Sequence, residues 1–251
     1  VHGDSALPYD GYGYYKSFWN RLAKAGIASF SWDKAGVGGS SGNWLSQSME
    51  DRAQEVIAAI DYLKTLQAVK ADRIGLLGFS QAGWVLPMVS ARSSYPDFMV
   101  IVSGAINWLN QGDYMMRTRL GKAGFSETEI QQAIEKDRAG LWVFAPDSSY
   151  QDYLNASDEA KPMTEDRYQF VKRNWRSDAR ESLKTISSPF LAVFGEEDVN
   201  VDAAESAVVY QEILTASGLP DFTIITFSNA QHGLLKAELF QTANPGIFYL
   251  L

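Results

Sequence analysis

Residues 78–83 read GFSQAG and lie between the apolar run IGLL (74–77) and a stretch with helical character that begins at Trp84. A serine on a tight turn from a strand into a helix has its hydroxyl forced outward, and such a turn leaves room only for small neighbours. The usual pattern is G-x-S-x-G; here Ala82 takes the place of the second glycine and Gly83 follows it. The stretch therefore predicts an exposed, nucleophilic Ser80, although a glycine-rich loop whose serine caps the helix would have the same residues.

A base and an acid for such a serine follow two later predicted strands. A serine nucleophile needs a base to accept its proton and an acid to orient that base. His232 comes shortly after FTIITF (222–227), and the acidic run GEED (195–198) comes directly after PFLAVF (189–194). A lone histidine in a loop more often has a structural role, but that interpretation leaves the order serine, acid, histidine unexplained. Together the three positions predict a catalytic triad.

Motifs over most of the chain resemble those of the α/β-hydrolase superfamily, and in particular of bacterial lid-bearing serine esterases and hydrolases related to the prolyl-oligopeptidase-like group. VHGD (1–4) resembles the His-Gly turn that supplies half of the oxyanion hole, and SWDKAGVGGS (31–40) resembles a D-x-R-G-x-G-x-S loop. GEEDVNV (195–201) is similar to the G-x-x-D-x-x-V acid loop. This last resemblance selects Asp198 as the acid, in preference to Glu196, Glu197 and Asp202.

The resemblance implies acyl transfer without a cofactor. His232 takes the proton of Ser80 as the serine attacks a carbonyl carbon, and Asp198 orients and stabilises the imidazole. The backbone N–H groups of Gln81 and Asp4 are expected to bind the oxyanion.

Several neighbouring residues are expected to have other roles. Ser5 is close enough to Asp4 to supply the second oxyanion N–H in its place. We expect His2 to shape the turn, and Asp33 and Lys34 to brace their loop rather than to take part in chemistry. Ala35 stands where relatives often carry arginine, so the substrate of a relative is not transferred to this chain.

Composition narrows the classes of function. The chain has 251 residues, of which 46% are hydrophobic and 21% charged, as in an ordinary globular protein long enough to form one domain. Its net charge of −8 argues against a nucleic-acid partner. No apolar run approaches the roughly 20 residues of a membrane span. Without cysteine, and with two histidines in unrelated motifs, a metal site is not expected. Cytoplasm and periplasm both stay open, as does the oligomeric state.

Alternating strand and helix signals predict an α/β fold with a mainly parallel sheet flanked by helices. Helices are predicted over 14–25, 49–66 and 84–92, and strands over 27–32, 74–77, 98–102, 189–194 and 222–227. The chain begins at the end of what would be the third strand in similar proteins, so we expect the opening strands to be missing. Residues 243–248 would ordinarily lead into a last helix.

The alternation stops between residues 107 and 186, where helical signals replace strands. Ser126 and Glu129 have the spacing of a capping box, and residues 178–186 are predicted to form another helix. The resemblance implies a helical lid here, between the sixth and seventh strands, with 1–106 and 187–251 forming the hydrolase core. We expect most of its aromatic residues to pack against neighbours rather than to line a substrate pocket. These residues are Trp108, Tyr114, Phe125, Trp142, Phe144 and Trp175.

The leading hypothesis is an esterase that acts on small or medium carboxylic esters. A peptidase or a thioesterase would use the same triad, but no acidic cluster for a peptide amine and no basic patch for coenzyme A is present. A third hypothesis is a ligand-binding protein that keeps the fold without turnover. Retention of all three triad residues weighs against it. Dehalogenation is disfavoured because it needs a carboxylate in place of Ser80.

Overall fold

Four parallel strands form the sheet in the residues that the structure, a computed structural model, describes, namely 1–70, 72–93 and 95–238. They are β1 (Leu76–Phe79), β2 (Met99–Val102), β3 (Phe190–Gly195) and β4 (Phe222–Phe227), paired in chain order. Parallel neighbours need crossover connections, which here carry helices and cover both faces of the sheet. This arrangement confirms the predicted α/β class.

Helices occupy much of the rest of the described chain. They are α1 (Lys16–Lys24), α2 (Met49–Lys64), α3 (Ala82–Ser90), α4 (Trp108–Lys122), α5 (Glu127–Gly140), α6 (Tyr150–Ala156), α7 (Glu165–Asn174), α8 (Arg180–Leu183) and α9 (Ala203–Ala216). The helices predicted over 14–25, 49–66 and 84–92 are confirmed with small changes at their ends. The helix predicted over 178–186 is shorter, with four residues. The expected last helix after residues 243–248 lies outside the described residues.

Two apolar clusters cover the two faces of the sheet. The larger one packs α2, α3 and α9 against strand residues such as Leu76, Met99 and Ile101. The smaller one packs the segment around α1 against Phe79 and Val102. Because successive side chains of a strand point to opposite faces, both faces of these strands are buried and the sheet edge with the carboxyl ends is left for loops.

The strand predicted over 27–32 is wrong. This segment forms no sheet ladder in the described residues, and its Ile27 and Phe30 side chains are 42% and 46% exposed. The Ile27 N–H instead donates to Leu22 O at 2.9 Å, while Gly26 takes a φ of +78°, which closes the end of α1 as a Schellman motif. A strand exists only through hydrogen bonds to a neighbour, and here the first of its donors caps a helix.

Residues 107–186, called the helical insertion below, connect β2 to β3 through α4–α8 and contain no strand of the sheet in the described chain. The predicted capping box is present, since Ser126 and Glu129 exchange side-chain and backbone hydrogen bonds at the start of α5. The insertion has a cluster of its own around Val143, Tyr153 and Tyr168. It therefore has an apolar core separate from those of the sheet.

Candidate active site

Ser80 lies on a tight turn between β1 and α3. Its φ is +51°, in the left-handed region that non-glycine residues rarely adopt. The small neighbours are required by packing: a Cβ on Gly78 would lie 2.6 Å from the Cβ of Ala82, and one on Gly83 would lie 2.6 Å from the carbonyl oxygen of Ala105. Ala82 itself is fully buried without such a conflict. The turn thus accepts alanine in the place of the second glycine of the pattern.

The alternative role of Ser80 as a helix cap does not fit the geometry. The N-cap position of α3 is Gln81, and no side chain caps it. The backbone of Ser80 is held on both sides, since its N–H donates to Val102 O at 2.9 Å and its carbonyl accepts from Gly83 N at 2.8 Å. Its hydroxyl forms no hydrogen bond within the described residues and is half-buried. The backbone of Ser80 is fixed, while its hydroxyl has no partner among the described residues.

Asp198 follows β3 and holds His232 through a short hydrogen bond. The Nδ1 atom of His232 lies 2.7 Å from Asp198 Oδ2. The other carboxylate oxygen, Oδ1, accepts from the backbone N–H groups of Asn200 at 2.8 Å and of Val201 at 3.0 Å. Asp198 is 1% exposed, so its charge is compensated by these donors rather than by water. With the Nδ1 proton directed to the carboxylate, the Nε2 atom of His232 is left as a proton acceptor.

The other acidic residues of this region are engaged elsewhere. Glu196 and Glu197 have exposed side chains. Asp202 caps α9 by accepting from the backbone N–H of Glu205 at 2.9 Å. Of the four candidates, Asp198 is the one whose carboxylate contacts the imidazole.

The loops that carry Asp198 and His232 touch through their backbones. Glu197 N donates to Ala230 O at 3.0 Å, and a Cβ on Gly195 would lie 2.4 Å from the same oxygen. Only glycine permits this approach, because any side chain at residue 195 would overlap backbone atoms. The acid and the histidine are therefore supported by one joined pair of loops.

The histidine loop also lies against the strand that leads to Ser80. The Tyr14 hydroxyl donates to the carbonyl oxygen of Gly233, directly after His232, and the Tyr14 ring packs edge-on against Phe79 at 5.6 Å between centroids. No hydrogen bond joins the Ser80 hydroxyl to His232 in the described part of the chain.

The turn expected to form half of an oxyanion hole lies directly beside Ser80. A Cβ on Gly3 would lie 3.2 Å from the Cβ of Ser80 and 3.8 Å from its hydroxyl oxygen. Among the described residues, the backbone N–H groups of Asp4 and Gln81 have no hydrogen-bond acceptor. Two free donors next to the serine are what an oxyanion hole requires.

The Asp4 carboxylate is turned into an ion pair. It accepts from both terminal nitrogens of Arg167 on α7, at 3.1 and 2.8 Å, and from Gln81 Nε2 at 3.3 Å. Burial acts to raise the pKa of Asp4, but the hydrogen bonds and charge of Arg167 outweigh it and lower the pKa below its ordinary value. The negative charge is thereby compensated by an arginine of the helical insertion.

His2, Asp33 and Lys34 have the structural roles expected from the sequence. The Nζ atom of Lys34 donates to Gly3 O at 2.7 Å and to Ser5 O at 2.9 Å. Asp33 accepts from the N–H of Gly39 at 2.9 Å. His2 donates from Nε2 to a backbone carbonyl at 2.5 Å, and burial, with nearby positive charges, lowers its pKa to about 3. A neutral His2 and a buried lysine thus hold the turn in place.

Three side chains that contact the site were not assigned these contacts from the sequence. Arg52 donates from Nη2 to His2 O at 2.8 Å and from Nη1 to the side-chain oxygen of Gln81. Its signal in the sequence is an arginine on the apolar face of α2. Arg167 carries no such signal. Tyr114, expected only as one of several insertion aromatics, donates its hydroxyl to the backbone carbonyl of Asp198 at 2.6 Å.

The other insertion aromatics mostly pack or face outward. Trp108 stacks on Trp84 of α3 at 5.2 Å, and Phe144 packs in the separate cluster of the insertion. Phe125 and Trp142 are 48% and 55% exposed. Core packing and surface exposure therefore account for most of them.

The described chain contains neither a metal-binding cluster nor a membrane-spanning helix. Its His, Asp and Glu side chains form no group of three or more arranged to hold a metal ion. Over the same residues, no helix combines the length and the apolar character that crossing a bilayer requires.

Solved structures share the overall fold at low sequence identity. The chain is similar to a monoacylglycerol lipase of Paleococcus ferrophilus, with a TM-score of 0.57 and 17% identity over 100% of this chain and 89% of that one. It is similar to an esterase of Pyrococcus furiosus, with a TM-score of 0.59 and 16% identity over 100% and 76% of the two chains. The chain is also similar to Est1E of Butyrivibrio proteoclasticus with bound ferulic acid. The TM-score is 0.58 and the identity 16%, over 92% of this chain and 79% of that one. These similarities confirm the α/β-hydrolase fold.

Sequence comparison gives the family. No curated protein matches the chain at the significance required. A family model described as BAAT / Acyl-CoA thioester hydrolase C terminal matches residues 57–236, well over half of the chain and a segment that includes the Ser80 turn, Asp198 and His232. Such a match supports a hydrolase, and the chain belongs to the BAAT / acyl-CoA thioester hydrolase C-terminal family.

Proposed function

We propose that the chain is a serine hydrolase that cleaves carboxylic esters of small or medium size through an acyl-enzyme on Ser80. The observation that carries the proposal is the 2.7 Å hydrogen bond between Asp198 and His232, formed at the sheet edge where β1 delivers Ser80. An imidazole oriented by a buried carboxylate is the base that a serine nucleophile needs. Family membership adds independent support for hydrolysis of an acyl group.

Acylation uses the free nitrogen of the imidazole. The Nε2 atom of His232 accepts the Ser80 proton as the serine oxygen bonds to the substrate carbonyl carbon, and Asp198 stabilises the resulting imidazolium. The N–H groups of Gln81 and Asp4 bind the developing oxyanion, and one preorganised donor of this kind is typically worth about 3–4 kcal/mol. The tetrahedral intermediate then collapses, the alkoxide leaves with the proton from His232, and Ser80 keeps the acyl group.

Deacylation repeats these steps with water. His232 takes a proton from water, and the oxygen attacks the ester carbonyl of the acyl-enzyme. The same two N–H groups bind the second oxyanion. Collapse of this intermediate returns the proton to Ser80 and releases the carboxylic acid.

The helical insertion acts as the lid in this proposal, and the segments 1–106 and 187–251 act as the hydrolase core. Support comes from two contacts between the insertion and the proposed machinery: Arg167 with Asp4, and Tyr114 with the Asp198 carbonyl. A cover at this position excludes water from the oxyanion and shapes the acyl pocket.

A thioester hydrolase is the second candidate. The family model that matches the chain is described by acyl-CoA thioester hydrolysis, which favours this chemistry specifically. The same steps apply, since a thiolate leaves the tetrahedral intermediate in place of an alkoxide. Ester and thioester cleavage thus differ in the leaving group and not in the residues used.

The deciding experiment compares substrates on the wild-type chain and on Ser80→Ala. Substrates are p-nitrophenyl esters and acyl-CoA thioesters of graded acyl length, together with aminoacyl anilides. We expect ester turnover that Ser80→Ala abolishes and that Ser17→Ala, at an exposed position of α1, leaves intact. Faster turnover of thioesters would establish the second candidate, and turnover of anilides alone would establish a peptidase. Inactivity on all three, without labelling of Ser80 by a fluorophosphonate, would refute the serine mechanism.

A further inference from the structure

The side chains of the two residues proposed for the oxyanion hole are joined to each other. Gln81 donates from Nε2 to Asp4 Oδ1 at 3.3 Å. Each of the two is also held by an arginine: Arg52 donates to the Gln81 side-chain oxygen, and Arg167 donates twice to the Asp4 carboxylate. The four residues form a continuous polar chain from α2 of the core to α7 of the insertion.

We propose that Arg167 is a positioning residue of the oxyanion hole, acting through the Asp4 carboxylate. The inference rests on the proposed function, because it concerns the rate of the same acyl transfer. It assigns to the helical insertion a part in assembling the site in addition to covering it.

The core end of the polar chain is rigid. Arg52 is 4% exposed, and its planar guanidinium spans His2 O and the Gln81 side chain, which ties together the two sides of the proposed hole. Arg52 therefore fixes the Gln81 side chain. Lys34 holds the carbonyls on either side of Asp4, at Gly3 and Ser5, so the Asp4 side chain is the part that still needs an anchor.

The insertion end supplies that anchor. Arg167 binds Asp4 with two parallel hydrogen bonds, and its guanidinium also packs over the ring of Phe170 at 4.9 Å. Both side chains of the pair are about one-third or more exposed, at 33% and 41%, and pairs of this kind contribute little to folding stability. Their geometric effect is larger, because two parallel bonds fix the direction of the carboxylate on the residue whose N–H is proposed to bind the oxyanion.

The charge of Asp4 gives a second reason for the arginine. An uncompensated carboxylate beside the reacting carbonyl would repel the oxyanion that forms there. Arg167 neutralises this charge where Asp4 bends toward the insertion. Its removal should therefore slow the chemical step more than it weakens substrate binding.

The test measures kcat and KM for ester hydrolysis in the full chain with Arg167→Gln. We expect kcat to fall by about tenfold, a fraction of the effect of deleting an oxyanion donor, with KM changed less than about twofold. Binding of an alkyl boronic acid, which forms a tetrahedral adduct with the serine, should weaken in parallel with kcat/KM. Arg167→Lys keeps the charge but loses the paired geometry and should recover part of the rate. Arg173→Gln, on the same helix and outside the polar chain, should match the wild type.

A double variant tests whether Arg167 acts through Asp4. In Asp4→Asn/Arg167→Gln the carboxylate is gone, so the loss in kcat should be no larger than that of Arg167→Gln alone. The inference is overturned, while the proposed function stands, if the losses in kcat from the Asp4 and Arg167 changes multiply in the double variant. It is also overturned if Arg167→Gln keeps the wild-type kcat, or if Arg173→Gln loses as much kcat as Arg167→Gln. An inactive wild type whose Ser80 is not labelled by a fluorophosphonate would overturn both. Thermal unfolding of each variant separates these effects from loss of the fold.

Discussion

The Tyr114 hydroxyl donates to the backbone carbonyl of Asp198 at 2.6 Å, which ties α4 of the helical insertion to the loop carrying the proposed acid. This loop is already constrained from within, because Asp198 Oδ1 accepts two N–H groups of its own turn. The contact from Tyr114 adds an external constraint. This hydrogen bond thus links the insertion directly to Asp198.

Replacing Tyr114 by Phe should lower kcat without a matching change in KM. The loss of one hydrogen bond worth about 1 kcal/mol corresponds to a fall in rate of about fivefold if it acts on the acid loop. Steady-state ester hydrolysis measures this effect. Tyr62→Phe, at an exposed position on α2, removes the same hydroxyl from a side chain that is 55% exposed and should leave kcat unchanged. Equal effects of the two changes would show that the Tyr114 contact is not functional.

Asp198→Asn should lower kcat by about ten-thousandfold, because an amide in place of the carboxylate favours the wrong tautomer of the imidazole. Asp202→Asn is the matched control. Asn caps a helix as well as Asp does, so α9 and the activity should both be retained. A comparable loss in the two variants would mean that Asp198 is not the acid of a triad.

A change of one methyl group at the two small residues of the Ser80 turn should lower stability in both cases but affect activity in only one. Ala82→Gly restores the common pattern and should keep kcat, while the free energy of unfolding falls by about 1 kcal/mol. Gly83→Ala places a methyl 2.6 Å from the Ala105 carbonyl and should cost about 2–3 kcal/mol, with loss of activity as the turn shifts. Denaturant unfolding and ester turnover check both. A stable, active Gly83→Ala would contradict the close approach of α3 to residue 105.

Folding stability should fall in mild acid in part because of His2. Its pKa is about 3 in the fold, below its ordinary value near 6.5, since burial disfavours the charged form. Between these values the unfolded chain binds the proton and the folded chain does not, so stability present above about pH 6.5 is lost as the pH falls toward about 3. His2→Gln removes this contribution. Urea unfolding of both proteins over that window should show a shallower pH dependence for the variant, whereas identical slopes would rule the explanation out.

The sequence predicts those parts of the site that depend on local chemistry. The Ser80 turn requires small residues within a few positions, and Asp198 precedes the N–H groups that bind it by two and three residues. Such requirements leave a signature in a short stretch. The N-termini of helices that have capping residues, such as Ser126, can be predicted for the same reason.

Contacts between distant segments leave no such signature. Arg167 lies 163 residues from Asp4, and no sequence pattern near either position predicts the pair. The incorrect strand over 27–32 has a related cause: its apolar residues suit a strand, but strand formation depends on a partner elsewhere in the chain. The periodicity of a single segment carries no information about its partners elsewhere in the chain.

The contact between Gly195 and the Ala230 carbonyl has a consequence for how substrate preference diverges among such proteins. Because the backbones of the two loops are in contact there, the loops move together. The distance between the His232 imidazole and the Asp198 carboxylate is therefore maintained. In the proposed function, in which the insertion acts as the lid, remodelling the insertion changes which substrate reaches Ser80 and leaves this pair of loops unchanged. We expect variants selected for new substrates to carry changes in residues 107–186 and to retain Gly195.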